Sequence, residues 1–260
     1  MTDYLSHTPN TFCWVDLATT DPKAAKEFYQ DVFGWSFLDT PMGEGAFYTM
    51  CLINGKPVAA LYEMMPQQKE MNLPCHWFSY ISVADGADTM KKVKESNGNV
   101  IMDCMDVMEE GRSGMFQDPG GAMVGIWEPK KHIGASYKNI HGTICWFEYG
   151  SHDRNIPIPF LEKVFGWTSK TEKMGETIYT TFYLGQEAVA GLYEMPENMN
   201  DVPAHWLPYF AINNIDEALE KCAKHNAIIL MPKMFVQGVG HFAVIQDPQG
   251  AVLGLVQGEM

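Results

Sequence analysis

The sequence has little positive charge and no long apolar segment. Its 18 Lys and Arg residues stand against 32 Asp and Glu residues, so the formal charge is −14 and no basic surface offers itself to nucleic acid or anionic lipid. No stretch approaches the roughly 20 apolar residues of a membrane span, and the N-terminus lacks the basic and apolar regions of a signal peptide. We therefore expect a cytoplasmic protein without nucleic-acid or membrane partners.

The sequence also lacks closely spaced pairs of cysteines. None of the six cysteines has the C-x-x-C spacing that is typical of zinc or redox sites, and most lie in apolar runs, where a thiol behaves as a small hydrophobic group. We expect them to be buried and reduced. With 260 residues, 46% of them apolar, the chain is long enough for two domains with separate cores.

The strongest positive signal is an internal repeat at an offset of about 130 residues. The matching pairs are Phe33-Gly34-Trp35 with Phe165-Gly166-Trp167, Leu61-Tyr62-Glu63-Met64 with Leu192-Tyr193-Glu194-Met195, His76-Trp77 with His205-Trp206, and Gln117-Asp118-Pro119 with Gln246-Asp247-Pro248. Because the order is kept, we infer two copies of one domain rather than a short-period solenoid. The polar segment near residue 135 divides them, which predicts domains at 1–132 and 133–260.

Each half divides once more into two similar modules. The alternating segment from Phe12 to Leu17 predicts a strand, Asp21-Pro22 begins a helix, and Gly34 ends it. Three short strand-like runs follow, and the same plan returns from His76. The predicted unit, one strand, one helix and three strands, occurs four times, at about 10–66, 74–128, 141–197 and 203–257.

The third module departs from the others at its helix. Pro157 and Pro159 fall where the helix is expected, and proline is disfavoured inside a helix because it lacks an N–H group. We therefore predict that this helix begins near Pro159.

The opening strand that runs into Asp-Pro, the Phe28-Tyr29 and Phe33-Gly34 pairs and the closing Asp118-Pro119-Gly120-Gly121 turn resemble the vicinal oxygen chelate superfamily. This superfamily includes glyoxalase I, bleomycin-resistance proteins and extradiol dioxygenases. The resemblance covers essentially the whole chain and implies an α+β fold of tandem glyoxalase-like domains. Each domain is then expected to pair two βαβββ modules into a half-open barrel.

Metal enzymes of this superfamily take their ligands from the first and last strand of each module. The corresponding positions here are Trp14, Ala60, Phe78, Gly125, Trp146, Gly191, Leu207 and Gly254. None of these residues is a usual ligand of a divalent cation, which needs several converging His, Cys or carboxylate donors. We therefore expect no metal and no cofactor at these positions.

Other side chains are expected to fill the barrel. Side chains alternate along a strand, so Phe12, Trp14 and Asp16 should share one face, as should His76, Phe78 and Tyr80. The antiparallel arrangement implied by the resemblance places Trp14 opposite Phe78, Asp16 opposite His76 and Phe12 opposite Tyr80. In the second domain it pairs Glu148 with His205 and Ile144 with Tyr209.

Two interpretations of these polar groups stay open. The candidate catalytic residues are Asp16, His76, Glu148 and His205, because a carboxylate that fixes a histidine tautomer makes a general base and a tyrosine can donate to an oxyanion. Alternatively, each pair is a satisfied polar contact in a packed sheet. The candidate ligand-binding residues are Phe12, Trp14, Phe78, Tyr80, Trp146, Leu207, Tyr209, Gly125 and Gly254, where the glycines reflect either sheet curvature or close approach of a ligand.

The leading hypothesis is a protein that binds a small aromatic or hydrophobic molecule in an aromatic-lined barrel. The alternative is an enzyme, either a metal-free lyase, isomerase or hydroxylase, or a metal enzyme with ligands among His76, His205, Glu63, Glu148 and Glu194. A partner-binding protein without a working cavity is a third possibility, because one fold serves many functions. Tandem duplication permits a monomer, and a homodimer stays open.

Overall fold

A computed structural model describes residues 4–43, 45–174 and 177–259 of the chain, which form two sheets and five α-helices. The first half contains β1 (Phe12–Thr19), α1 (Pro22–Phe33), β2 (Ser36–Gly43), β3 (Ala46–Ile53), β4 (Lys56–Glu63), α2 (Pro66–Glu70), β5 (His76–Ser82), α3 (Gly86–Glu95), β6 (Asn99–Val107), β7 (Gly111–Gln117) and β8 (Met123–Pro129). The second half contains β9 (Thr143–Ser151), α4 (Pro157–Phe165), β10 (Thr168–Met174), β11 (Thr177–Leu184), β12 (Glu187–Glu194), a 3₁₀ turn (Glu197–Met199), β13 (His205–Ala211), α5 (Ile215–Lys224), β14 (Ile228–Val236), β15 (Gly240–Gln246) and β16 (Val252–Gly258). None of the described helices has the length and apolar character needed to cross a membrane.

Each sheet has eight strands and repeats the same order. The first runs β2-β3-β4-β1-β5-β8-β7-β6, and the second runs β10-β11-β12-β9-β13-β16-β15-β14. In the first sheet β1 and β5 pair antiparallel at the centre, and each pairs in parallel with the last strand of its own module, β4 or β8. This is the predicted α+β arrangement of paired βαβββ modules in a sheet that stays open at both edges, so the predicted fold class is confirmed.

Local sequence signals explain how α1 is bounded. The Asp21 carboxylate accepts a hydrogen bond from the Ala24 N–H at 3.0 Å, and Pro22 occupies the first helical position. Gly34 ends the helix in a left-handed conformation with φ of 72°, which glycine adopts without steric cost. The helix therefore begins and ends where the sequence predicted.

The helix of the third module corrects a prediction. It begins at Pro157, two residues before the predicted start at Pro159. Both prolines lie in its first turn, where backbone N–H groups have no partner within the helix, so a proline there removes no hydrogen bond.

The two sheets pack against each other through a continuous apolar core. The repeated Phe-Gly-Trp motif makes reciprocal contacts across it: the indole N–H of Trp35 donates to the Gly142 carbonyl, and that of Trp167 donates to the Asn10 carbonyl, each at 2.8 Å. Full burial of one such large apolar side chain stabilises the fold by about 1.5–3 kcal/mol. The repeated tryptophans therefore hold the two halves together.

The cysteines contribute to the interior as free thiols. Four of them are buried, whereas Cys104 and Cys145 are partly buried. Burial raises the pKa of Cys13 and of Cys222 to about 12, so both thiols stay protonated at neutral pH.

Candidate functional site

The predicted faces of the central strands are largely correct, but the predicted register is wrong by two residues. Asp16 lies opposite Phe78 and Trp14 lies opposite Tyr80, whereas the prediction placed Asp16 opposite His76 and Trp14 opposite Phe78. A slide of two residues leaves every side chain on the same face, so the alternation of the sequence cannot distinguish the two registers. Glu148 lies likewise opposite Leu207, and Trp146 opposite Tyr209.

The predicted carboxyl–imidazole pairs are therefore not formed. His76 lies opposite Ala18, and its Nδ1 atom is 2.8 Å from the Pro74 carbonyl oxygen. His205 lies opposite Gly150, and its Nδ1 atom is 2.9 Å from the Pro203 carbonyl oxygen. Both imidazoles are thus tied to the backbone just before their own strands.

Phe12 lies outside the face on which it was predicted. The register shifts between Phe12 and Trp14, so Phe12 pairs with Ile81, and its ring stacks on Phe147 at 3.9 Å in the core between the sheets. A β-bulge of this kind reverses the alternation of the strand. The predicted contact of Ile144 with Tyr209 fails for the same reason, because Ile144 pairs with Phe210.

The side chains that alternate with Val15 and Leu17 on β1, and their equivalents on β9, belong to two corresponding clusters, which we call cup 1 and cup 2. Cup 1 consists of Trp14, Asp16, Tyr48, Phe78, Tyr80 and Gly125. Cup 2 consists of Trp146, Glu148, Tyr179, Leu207, Tyr209 and Gly254. Except for Phe12, His76 and His205, every candidate catalytic or ligand-binding residue of the sequence analysis lies in one of the two cups.

Each cup is organised around a carboxyl group that accepts hydrogen bonds from two tyrosines. In cup 1 the hydroxyls of Tyr48 and Tyr80 both donate to Oδ2 of Asp16, at 3.1 Å each. The Trp14 indole N–H donates in turn to the Tyr48 hydroxyl at 3.1 Å. The four side chains form one chain of hydrogen bonds, from indole to phenol to carboxyl.

Cup 2 repeats this chain with a longer carboxyl side chain. The Tyr179 hydroxyl donates to Oε1 of Glu148 and the Tyr209 hydroxyl to Oε2, both at 2.8 Å. The Trp146 indole N–H donates to the Tyr179 hydroxyl at 3.0 Å. Here the two phenols are divided between the two oxygens.

Burial sets the electrostatics of both cups. Asp16 is 4% exposed, and burial raises its pKa to about 7, although the hydrogen bonds from Tyr48 and Tyr80 act in the opposite direction. Burial likewise raises the pKa of Glu148. It also raises the pKa of Tyr48 and Tyr80 well above the usual range, so both phenols stay protonated and keep donating.

The structure gives a reason for the glycines of the cups that differs from the two reasons considered in the sequence analysis. A Cβ atom on Gly125 would overlap the ring of Tyr80, and one on Gly254 would overlap the ring of Tyr209. Gly125 pairs directly with Tyr80, and Gly254 with Tyr209. Each glycine therefore lets the tyrosine of the neighbouring strand lie across the backbone and reach the carboxyl group.

The sequence analysis missed Tyr48 and Tyr179, which lie on β3 and β11 rather than on the central strands. A signal was available, because Tyr48-Thr49 returns as Tyr179-Thr180 at the offset of the repeat. It went unused because only the sheet order shows that β3 and β11 can supply a side chain to the central carboxyl group.

The donors present do not fit the superfamily's metal site. Across residues 4–43, 45–174 and 177–259, no three His, Cys, Asp or Glu side chains converge as a cation requires. Glu63 instead pairs with Lys69 at 2.6 Å, and Glu194 lies 3.8 Å from Arg154.

Comparisons with known proteins agree with this architecture. A family model described as the glyoxalase/bleomycin resistance protein/dioxygenase superfamily matches residues 11–126. The chain is 38% identical to "Putative glyoxylase CFP32" of Mycobacterium tuberculosis (strain CDC 1551 / Oshkosh), over 98% of this chain and 96% of that protein. It is 25% identical to the anthracycline biosynthesis protein DnrV of Streptomyces peucetius, over 96% and 94%.

Two solved structures share the fold at low sequence identity. The 2,2',3-trihydroxybiphenyl 1,2-dioxygenase of Sphingomonas wittichii strain RW1 superposes with a TM-score of 0.68 at 12% identity, covering 96% of this chain and 91% of that one. The Mn(II)-bound glyoxalase of Novosphingobium aromaticivorans superposes with a TM-score of 0.66 at 14% identity, covering 96% and 82%.

Proposed function

The chain belongs to the glyoxalase/bleomycin resistance protein/dioxygenase superfamily, and we propose that it binds a small aromatic or hydrophobic molecule in at least one of its two cups. The observation that carries this proposal is the chain of hydrogen-bonded indole, phenol and carboxyl groups in each cup. Flat aromatic side chains beside a few oriented polar groups are typical of sites for small organic ligands.

The names of similar proteins favour a polycyclic aromatic ligand. One relative is named for anthracycline biosynthesis, and one structural neighbour is a dioxygenase of a hydroxylated biphenyl. We propose further that binding needs no cation at the eight superfamily positions, because their side chains offer no suitable donors.

The test is titration of the purified protein with naphthalene, anthracene and anthraquinone derivatives. Binding is monitored by tryptophan fluorescence and by the melting temperature. We expect saturable binding and a raised melting temperature, because a ligand that binds only the folded state stabilises it. At least one of the variants Trp14→Leu and Trp146→Leu should weaken binding, whereas Phe235→Ala, at an exposed ring on β14, should not. Prior treatment with EDTA should leave the affinity unchanged.

Absence of binding across the whole panel would overturn the proposal. If EDTA treatment lowers the affinity and a divalent cation restores it, the part of the proposal that says binding needs no cation is wrong.

A second candidate function, metal-free acid–base catalysis, is favoured by the raised pKa of Asp16. Its pKa of about 7 lies near neutral pH, where a group is most effective as a general acid or base. Mass spectrometry of bound panel compounds after long incubation tests this candidate. We then expect product formation that Asp16→Asn abolishes, and unchanged compounds would exclude catalysis of that panel.

A further inference from the structure

The two cups differ in how completely their carboxyl groups are satisfied. Glu148 has one phenol on each oxygen. Asp16 is one methylene shorter and receives both phenols on Oδ2, and its buried Oδ1 has no hydrogen-bond partner among the described residues. A buried oxygen without a hydrogen-bond partner destabilises the folded state, so cup 1 holds a polar atom for which a ligand group would be a favourable partner.

A second polar atom in the same state lies beside Trp14 of cup 1. The His132 ring lies edge-on to Trp14, with ring centroids 4.5 Å apart, and also contacts Trp127 at 5.6 Å. Its buried Nε2 atom has no partner within the described parts of the chain. Burial lowers the pKa of His132 to about 4, so the imidazole is neutral at neutral pH, and its Nε2 in the N–H tautomer can donate to the oxygen of a hydroxyl group that itself donates to Asp16.

Trp14 connects these two unpaired atoms. Its indole N–H reaches Asp16 through the Tyr48 hydroxyl, and its ring contacts His132. In cup 2, Trp146 keeps the link to Glu148 through Tyr179, but no imidazole contacts its ring within the described residues. Of the two cups, only cup 1 therefore has an unpaired buried polar atom in it or against its tryptophan, as far as residues 4–43, 45–174 and 177–259 show.

We propose that cup 1 is the ligand site, that Asp16 and His132 are its polar contacts, and that the ligand presents a hydroxyl donor on a flat apolar body. Cup 2 then has a structural role, because its carboxyl group is fully occupied within the fold. This inference rests on the proposed function and adds which cup binds and through which atoms.

The experiment compares phenol, 2-naphthol and 1-hydroxyanthraquinone with their O-methyl ethers by calorimetric titration. The variants are Asp16→Asn and His132→Phe in cup 1 and Glu148→Gln in cup 2, each checked for folding by circular dichroism. We expect the wild-type protein to bind at least one hydroxyl compound at one site per chain, and methylation to weaken binding at least tenfold. Asp16→Asn and His132→Phe should also weaken it at least tenfold, and Glu148→Gln less than threefold.

The contradicting outcomes are distinct. If no compound binds the wild-type protein, the proposed function itself fails. If the compounds bind but the methyl ethers bind equally well, the proposed hydroxyl contact is wrong. If Glu148→Gln weakens binding as much as Asp16→Asn does, or neither cup 1 variant weakens it, the assignment to cup 1 is wrong. His132→Phe keeps the ring packing on Trp14, so it decides the question if Asp16→Asn does not fold.

Discussion

At the scale of single residues, the position of Asp16 makes stability depend on pH. Its pKa of about 7 in the folded protein exceeds the ordinary value of 3.8, so the folded state holds this proton more tightly than the unfolded state. The stabilising contribution of proton binding at Asp16 is therefore fully present below about pH 4, declines as the pH rises from about 4 to about 7, and is lost above that window.

We predict that Asp16→Asn removes this part of the pH dependence. Between pH 5 and pH 8 the wild-type free energy of unfolding should fall by about 1–3 kcal/mol more than that of the variant, because each pKa unit corresponds to about 1.4 kcal/mol. Urea denaturation at the two pH values measures this difference, in which the contributions of other titrating groups cancel. Parallel pH profiles would show that Asp16 is ionised normally in the folded protein.

The residue scale also shows what the sequence could and could not predict. Trp14 and Asp16 were placed on one face correctly, because alternation along a strand determines it. Phe12 was placed wrongly, because a bulge depends on pairing with β5 and has no signal in the strand's own sequence. The unpaired oxygen of Asp16 depends on distances between three strands and cannot be inferred from residue types.

At the scale of secondary-structure elements, β8 and β16 approach their neighbours through glycine. We predict that Gly254→Ala destabilises the protein by about 1–3 kcal/mol, because the added methyl group forces the Tyr209 ring away from Glu148. Gly258→Ala is the matched control on the same strand, because its methyl group would meet only the Val239 carbonyl, at 4.0 Å.

Chemical denaturation of both variants provides the measurement. The control should change stability by no more than about 0.5 kcal/mol. Equal effects of the two substitutions would mean that close approach of Tyr209 is not the reason for glycine at position 254.

Elements were predicted well wherever a local signal bounds them. The Asp21 cap and Gly34 define α1 in sequence and structure alike, and the four-module plan follows from such signals. The start of α4 was predicted two residues late, because proline was treated as a helix breaker at a position where it begins the first turn. Register between strands is a property of pairs, and periodicity of single strands leaves it undetermined.

At the scale of the whole molecule, two turn carboxylates join the halves. The Tyr29 hydroxyl donates to Asp247 at 2.7 Å and the Tyr149 hydroxyl donates to Asp118 at 2.9 Å, so each aspartate of the repeated Gln-Asp-Pro motif is bound by the opposite half. The sequence analysis treated this motif only as a turn. Its second role depends on how the sheets pack, which no local pattern reports.

We predict that Tyr149→Phe lowers the free energy of unfolding by about 1–3 kcal/mol, because it removes a buried hydrogen bond to a carboxyl group and leaves Asp118 with fewer donors. Tyr183→Phe on the half-buried β11 strand is the control and should change stability by less than about 0.5 kcal/mol. Differential scanning calorimetry of the two variants measures both changes in stability. An unchanged melting temperature for Tyr149→Phe would show that this contact does not hold the halves together.

The most direct test of the proposed function is a crystal structure of the protein soaked with a hydroxylated polycyclic aromatic compound that binds in solution. The proposal predicts the compound beside Trp14, with its hydroxyl group within hydrogen-bond distance of Oδ1 of Asp16. A compound bound in cup 2 would contradict the assignment to cup 1, and a compound bound outside both cups would contradict the proposed function.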